Sequence, residues 1–136
     1  MRTALTITEQ PIDEAALLAA RRIPPDCGAV VTFLGVVRDQ EAGAKIAALD
    51  YEAQREMAEH QFQRIFAEAG RRWPVSRLDL IHRVGRIPVG EASLWIQVMA
   101  SHRREAFEAC QFVIDELKKV VPIWKLAPVD RPQHPG

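Results

Sequence analysis

Hydrophobic and polar positions follow two different periods along this chain, which predicts a mixture of strands and helices. Apolar or alternating runs rich in β-branched residues predict five strands. These runs cover residues 3–7, 29–37, 46–51, 78–84 and 92–100. Apolar positions three and four apart predict helices over residues 13–22 and 55–73. A third helix begins after Ser101, which has the character of an N-cap, and ends at Pro122.

The order of these elements favours an α+β fold. The run at 29–37 is almost entirely apolar, which favours a central strand covered on both faces. A polar connection with a glycine follows it and predicts a hairpin to the strand at 46–51. Two long helices and hairpin-like strand pairs together favour one α+β domain over residues 1–136, with a largely antiparallel sheet. The proline-containing end of the chain, with an extended tail at 126–136, should dock against another element.

Composition and charge narrow the classes of function. The chain has 136 residues, of which 48% are hydrophobic and 26% are charged, as expected for a single globular domain. Its 18 Lys and Arg balance 18 Asp and Glu, so no nucleic-acid or membrane partner is expected from the overall charge. No apolar run reaches the roughly 20 residues of a membrane span, and the N-terminus lacks the features of a signal peptide. We therefore expect a cytoplasmic protein.

Five cationic side chains stand at the ends of predicted elements or beside an apolar stripe, where binding sites are commonly built. They are Arg38, His102, Arg103, Lys118 and Lys125. Arg38 follows an apolar strand and suits a phosphate or carboxylate. His102 and Arg103 open the last helix, where cations oppose the helix dipole unless they hold an anion. Lys118 borders the apolar stripe, which makes it a candidate acid, base or nucleophile, although a solvated surface cation is the alternative for each of these residues.

Helix geometry separates these candidates within one chain. Arg103 and Lys118 are 15 positions apart on one helix, which corresponds to about 22 Å along its axis. One small ligand cannot contact both. If all five residues serve one site, a second copy of the chain must supply His102 and Arg103. The sequence thus predicts a composite site at a homodimer interface.

Other chemistries find little support in the sequence. The four histidines lack metal-site spacing, so no metal site is expected. Phosphate-loop, dinucleotide and nucleophile-elbow motifs are missing. Cys110 falls on a helical apolar stripe and is interpreted as a buried hydrophobe, and His82 is interpreted as a structural residue of a strand. Cys27 and Cys110 form no CxxC pair, and no disulfide is expected.

Four segments resemble a known family in the same order. They read GAVVTFLGVVRD at 28–39, LDYEAQREMAE at 49–59, IHRVGRIPVGE at 81–91 and SHRREAFEACQFVIDELKKVVPIWK at 101–125. Together they resemble the large, catalytic subunit of molybdopterin synthase over most of the chain. The resemblance implies a homodimeric α+β fold of the α/β-hammerhead type.

The resemblance also implies a reaction and a partner. Each catalytic subunit would bind a small ubiquitin-like sulfur-carrier protein, whose C-terminal Gly-Gly enters the site as a thiocarboxylate, giving a heterotetramer. Two sulfurs would pass to cyclic pyranopterin monophosphate and form the dithiolene of molybdopterin, a step of molybdenum cofactor biosynthesis. This sulfurtransferase chemistry implies no metal and no organic cofactor, and no cysteine needs to relay the sulfur.

The same five cations match the family's pocket positions. The resemblance implies that Arg38, His102 and Arg103 bind the substrate's phosphate and pterin oxygens. Lys118 would lie beside the thiocarboxylate and assist attack and proton transfer, and Lys125 would stabilise developing negative charge. Both lysines are thus implied as catalytic and substrate-binding residues.

Two departures from the family keep other functions open. Val36 stands where many relatives carry a lysine, and the C-terminal segment after Lys125 differs from the family pattern. A non-catalytic paralogue that binds the carrier as an interaction module is therefore one alternative. Without the resemblance, a small anion-binding domain for a nucleotide-like metabolite is another.

Overall fold

Three helices and nine strands make up residues 1–130, the part of the chain that this computed structural model describes. In chain order they are β1 (Arg2–Thr8), α1 (Glu14–Ala20), β2 (Ala29–Val36), β3 (Gln40–Glu41), β4 (Ala44–Ala53), α2 (Arg55–Arg72), β5 (Val75–Arg83), β6 (Gly85–Pro88), β7 (Ala92–Ala100), α3 (Arg103–Val120), β8 (Ile123–Lys125) and β9 (Val129–Asp130). None of the helices in this range is long and apolar enough to cross a membrane.

A four-stranded sheet carries the main core. Its strand order is β1-β5-β7-β2, and every pairing is antiparallel except that of β1 with β5. Helices α2 and α3 pack on one face of it and bury their apolar stripes there. The largest fully buried side chains of this core are Phe62, Phe66, Leu78, Leu80, Ile96, Val98 and Val113. The predicted α+β fold, with a largely antiparallel sheet and two long helices, is confirmed.

A second sheet, of five strands, forms around the long strand β4. This strand pairs with β3, β6, β8 and β9, all antiparallel. A second apolar cluster lies under it and contains Val37, Ile46, Leu49 and Ile87. Strand β6 lies between the predicted strands at 78–84 and 92–100, and the sequence did not indicate it. The predicted docking of the chain end is confirmed for residues 123–130, which pair with β4 through β8 and β9. Residues 131–136 of the expected tail lie outside the described part of the chain. The single-domain organisation over 1–136 stays a prediction.

The prediction of a central strand at 29–37 was wrong. Strand β2 lies at an edge of the four-stranded sheet, because β7 is its one partner strand within residues 1–130. The predicted hairpin between the strands at 29–37 and 46–51 was also wrong, because β4 forms its hairpin with the short strand β3. Ala42 and Gly43 adopt positive φ values of 51° and 82° in that turn, as a tight two-residue hairpin requires.

Close backbone packing joins the start of β2 to the start of α3. The Gly28 amide donates a hydrogen bond to the Ala100 carbonyl at 3.0 Å, and a Cβ atom on Gly28 would lie only 2.2 Å from the Ser101 carbonyl oxygen. The helix N-cap is His102 rather than Ser101, and no side chain caps it. Helix α3 packs along β2 and β7, so it begins beside Ala29 and ends near Val36.

Phe107 lies off the buried stripe of α3. Cys110 and Leu117 of the same helix are buried. Phe107 itself is 61% exposed, because the buried face of α3 follows Ala106, Ala109 and Cys110 rather than Phe107. An exposed phenylalanine near the start of α3 requires a separate explanation.

Candidate functional site

A cavity of about 420 Å³ opens where the end of β2, the end of α3 and strand β8 meet. Its size suits a small organic molecule. Phe33, Leu94, Leu117, Val121 and Ile123 supply apolar walls. The chemically active side chains that line it are Tyr51, His82, Lys118 and Lys125.

Lys118 enters the cavity from the last turn of α3. The preceding Leu117 is buried in the main core and anchors this turn. A cation in the last turn of a helix is favoured by the helix dipole, which explains the local stability of this placement. Among residues 1–130, the Lys118 ammonium has no hydrogen-bond or ion-pair partner, so it is available to an anion.

Lys125 reaches the same cavity from strand β8. Its backbone position is set by pairing with Tyr51 of β4. The Lys125 ammonium lies 3.1 Å from a carboxylate oxygen of Glu41, a residue of β3 that the sequence did not indicate. This ion pair orients the ammonium and neutralises part of its charge until an anionic guest arrives.

Tyr51 and His82 form another part of the cavity. The sequence did not indicate Tyr51, and it led to the interpretation of His82 as a structural residue of its strand. The rings of the two residues make an edge-to-face contact with centroids 5.7 Å apart. His82 is only 6% exposed, and its Nδ1 lies 2.8 Å from the Arg83 carbonyl oxygen. Burial lowers the pKa of the imidazole below its ordinary value. One available signal was that His82 continues the alternating apolar face of Leu78 and Leu80 in the same strand.

The other three predicted site residues lie away from this cavity. Arg38 is exposed two positions beyond Val36, which lines the cavity rim. His102 and Arg103 lie exposed at the opposite end of α3, about 22 Å from Lys118 along the helix axis. One chain therefore brings together Lys118 and Lys125 and leaves the remaining three cations outside the cavity.

Both cysteines are free thiols and neither lines the cavity. Burial raises the pKa of the Cys110 thiol to about 11, which leaves almost no thiolate near neutral pH. The Cys27 thiol donates to the Ala29 carbonyl oxygen at 3.3 Å. Within residues 1–130, no group of three or more His, Cys, Asp or Glu side chains could hold a metal ion.

The geometry so far defines a class of protein. It is an α+β protein whose cavity combines apolar walls, a neutral imidazole and two ammonium groups, which suits a guest with a flat apolar part and a negative charge.

Comparison with known proteins identifies the family. The family described as MoaE protein matches residues 7–120, and this chain belongs to it. A relative from Thermoplasma volcanium named molybdopterin synthase catalytic subunit is 42% identical over 125 residues, which cover 92% of this chain and 90% of the relative.

Solved structures agree with this assignment. The MoaE protein from Burkholderia ambifaria superposes with a TM-score of 0.80 at 39% identity, covering 92% of this chain and 82% of that one. A complex of subunits 1 and 2 of molybdopterin-converting factor from Helicobacter pylori contains a chain with a TM-score of 0.72 at 25% identity, covering 89% of this chain and 82% of that one. The resemblance seen in the sequence is confirmed.

Proposed function

We propose that this chain is the catalytic subunit of a molybdopterin synthase, a sulfurtransferase of molybdenum cofactor biosynthesis. It takes sulfur from a thiocarboxylated ubiquitin-like carrier and transfers it to cyclic pyranopterin monophosphate. The observation that carries this proposal is the convergence of Lys118 and Lys125 on one cavity with apolar walls. A non-catalytic paralogue has no need of an unpaired ammonium in such a place.

The two lysines divide the work according to their surroundings. Lys118, which has no partner among the described residues, pairs with the incoming thiocarboxylate and moves a proton during attack. Lys125, held by Glu41, stabilises negative charge that develops as sulfur leaves the carrier. Because the carrier brings the sulfur, the buried Cys110 thiol with its raised pKa takes no part.

The carrier is proposed to approach over the exposed apolar rim of the cavity. Val36 lines the cavity and is 45% exposed. Trp124 and Leu126, which flank the cavity residue Lys125 in the sequence, are 44% and 41% exposed. An extended Gly-Gly tail has no side chains of its own, so it fits a narrow slot between such residues. The Helicobacter pylori relative, solved as a protein–protein complex of two subunits, supports a protein partner for this chain.

A second copy of the chain is proposed to pair along the edge strand β2. Within the described residues, β2 pairs with β7 on one side and with no strand on the other. Its apolar, half-buried side chains make a poor solvent-facing edge. An antiparallel pairing of two β2 strands about a two-fold axis sets the start of one strand against the end of the other.

This pairing completes the cavity. The start of β2 lies beside the start of α3, and its end lies at the cavity. The two-fold axis therefore carries His102 and Arg103 of one copy toward Lys118 of the other. The exposed Phe107 lies on the same side of α3 as Lys118, because steps of four, three and four residues along the helix connect them. In the proposed dimer this side faces the second copy, whose helix α3 covers Phe107. Two catalytic subunits and two carriers then form the heterotetramer. The cytoplasmic location stays a prediction from the sequence.

Replacement of Lys118 by Ala tests the proposed function. With thiocarboxylated carrier and cyclic pyranopterin monophosphate, we expect the K118A variant to lose at least about 100-fold in product formation, as for loss of a proton-transfer group. The matched control is Lys119→Ala, because Lys119 is exposed and pairs with Glu116 outside the cavity. Failure of the unaltered chain to convert the substrate would favour the paralogue, and unchanged turnover in K118A would refute the role of Lys118.

A further inference from the structure

The protonation of His82 follows from its hydrogen bond. A backbone carbonyl oxygen can only accept, so the Nδ1 atom 2.8 Å from the Arg83 carbonyl must carry the proton. In a neutral imidazole the other nitrogen, Nε2, is then a hydrogen-bond acceptor without a proton. The edge-to-face contact with Tyr51 holds the ring plane in one orientation.

The remaining polar groups of the cavity have different capabilities. Lys118 and Lys125 offer only donors. The Ser93 hydroxyl donates to the Gly35 carbonyl at 3.4 Å, and the Tyr51 hydroxyl can either donate or accept. Among the cavity side chains of residues 1–130, Nε2 of His82 is thus the one polar atom that accepts without being able to donate.

We propose that Nε2 of His82 is a specificity-determining acceptor, which receives a hydrogen bond from a ring N–H of the pyranopterin substrate. This inference rests on the proposed function and assigns an orientation to the guest. The planar ring lies against Tyr51 and Phe33 with its N–H toward His82, and the carbon atoms that receive sulfur lie toward Lys118 and Lys125. A flat ring is favoured over the carrier's glycine tail because these aromatic and aliphatic walls contact a ring face better than a bare backbone.

Burial supports this role. Desolvation lowers the pKa of His82, so the imidazole stays neutral and keeps its acceptor near neutral pH. A protonated ring would present donors only, and it could not accept a hydrogen bond from the ring N–H of the substrate.

Two near-isosteric variants separate this role from a structural one. In His82→Asn the side-chain amide can still donate to the Arg83 carbonyl, but the Nε2 acceptor is lost. In His82→Gln the amide reaches the place of Nε2 and supplies an acceptor, but the bond to Arg83 is lost. Substrate binding to each protein is measured by calorimetry without carrier, and turnover is measured with carrier.

We expect the H82N variant to bind cyclic pyranopterin monophosphate about 10-fold more weakly, as for loss of one hydrogen bond, with KM raised and kcat little changed. H82Q should stay within about 3-fold of the unaltered chain. Normal binding by H82N together with weak binding by H82Q would show a structural role and overturn the proposal. Weaker carrier binding by H82N with unchanged substrate binding would also overturn it.

A substrate analogue provides the second measurement if a variant unfolds. An analogue methylated at the ring nitrogen should bind the unaltered chain more weakly than the natural substrate, and H82N should not discriminate between the two. Equal affinity of the unaltered chain for both compounds overturns the proposal. If the unaltered chain converts the substrate while H82N behaves normally, only this inference fails, whereas absence of conversion by the unaltered chain counts against the proposed function.

Discussion

At the residue scale, the burial of His82 beside the cavity makes the free energy of unfolding depend on pH. Its pKa in the folded chain lies below the ordinary value of 6.5 because burial disfavours the charged ring. As the pH falls below 6.5, the unfolded chain takes up a proton that the folded chain resists. The free energy of unfolding must therefore decrease, by at most about 1.4 kcal/mol per pH unit for this group. Above 6.5 this contribution is constant.

Denaturant titrations between about pH 5.5 and 7.5 test this expectation. The H82Q variant should lose stability less steeply than the unaltered chain as the pH falls, since glutamine does not titrate. Subtracting the two curves removes the contributions of the other histidines. Identical slopes for the two proteins would mean that His82 titrates normally in the folded chain.

The same scale shows which site residues the sequence could indicate. Lys118 and Lys125 were found because each stands at the end of an element beside apolar residues, a purely local property. Tyr51 and Glu41 were not indicated, and His82 was interpreted as structural, because the places of these residues near Lys125 and the cavity arise from contacts across strands. The pairing of Tyr51 with Lys125 and the ion pair of Glu41 with Lys125 join residues more than 70 positions apart, which no local pattern indicates.

At the element scale, the contact between the start of β2 and the start of α3 leaves no room for a side chain at position 28. A Cβ atom at position 28 would meet the Ser101 carbonyl oxygen at 2.2 Å, which backbone movement must relieve. We expect Gly28→Ala to lower the free energy of unfolding by about 1–3 kcal/mol, as for overpacking. Displacement of His102 should also reduce turnover.

Gly70→Ala is the matched control for this prediction. A Cβ at Gly70 in α2 meets only the flexible end of the Met1 side chain, at 2.8 Å, and alanine favours a helix over glycine by about 1 kcal/mol. Its denaturation midpoint should be unchanged or higher. A G28A variant as stable as the G70A variant would disprove tight packing at this junction.

The element scale also explains the errors in the predicted topology. The apolar character of 29–37 correctly indicated that this strand is partly buried, but it did not indicate which elements cover the strand. Helix α3 covers one face of β2, and we propose that a second copy covers the outer edge. Similarly, the period of β4 revealed a strand but not that β3 would be its hairpin partner.

At the scale of the whole molecule, the composite cavity can be tested by mixing two defective chains. Homodimers of Arg103→Ala and of Lys118→Ala should each lack an intact site. A mixed dimer contains one site with Lys118 from the first chain and Arg103 from the second. We expect such dimers, isolated with two different tags, to recover up to about half of the unaltered activity.

The control for this experiment is a mixed dimer of Lys118→Ala with Lys125→Ala. These two residues line the cavity from the same chain, so both sites of that dimer remain defective and no recovery is expected. Equal activity in the two kinds of mixed dimer would contradict a site shared between copies.

The sequence by itself determined the number and type of the main elements, the α+β class and the two lysines that make the cavity cationic. These properties follow from local periodicity and from the position of a charge relative to an apolar stripe. Only the tertiary structure decided that β2 lies at an edge, that Tyr51 meets His82, and that Glu41 pairs with Lys125. The physical reason is that hydrophobic period shows which side of an element is buried, whereas the identity of the element that covers it depends on long-range packing.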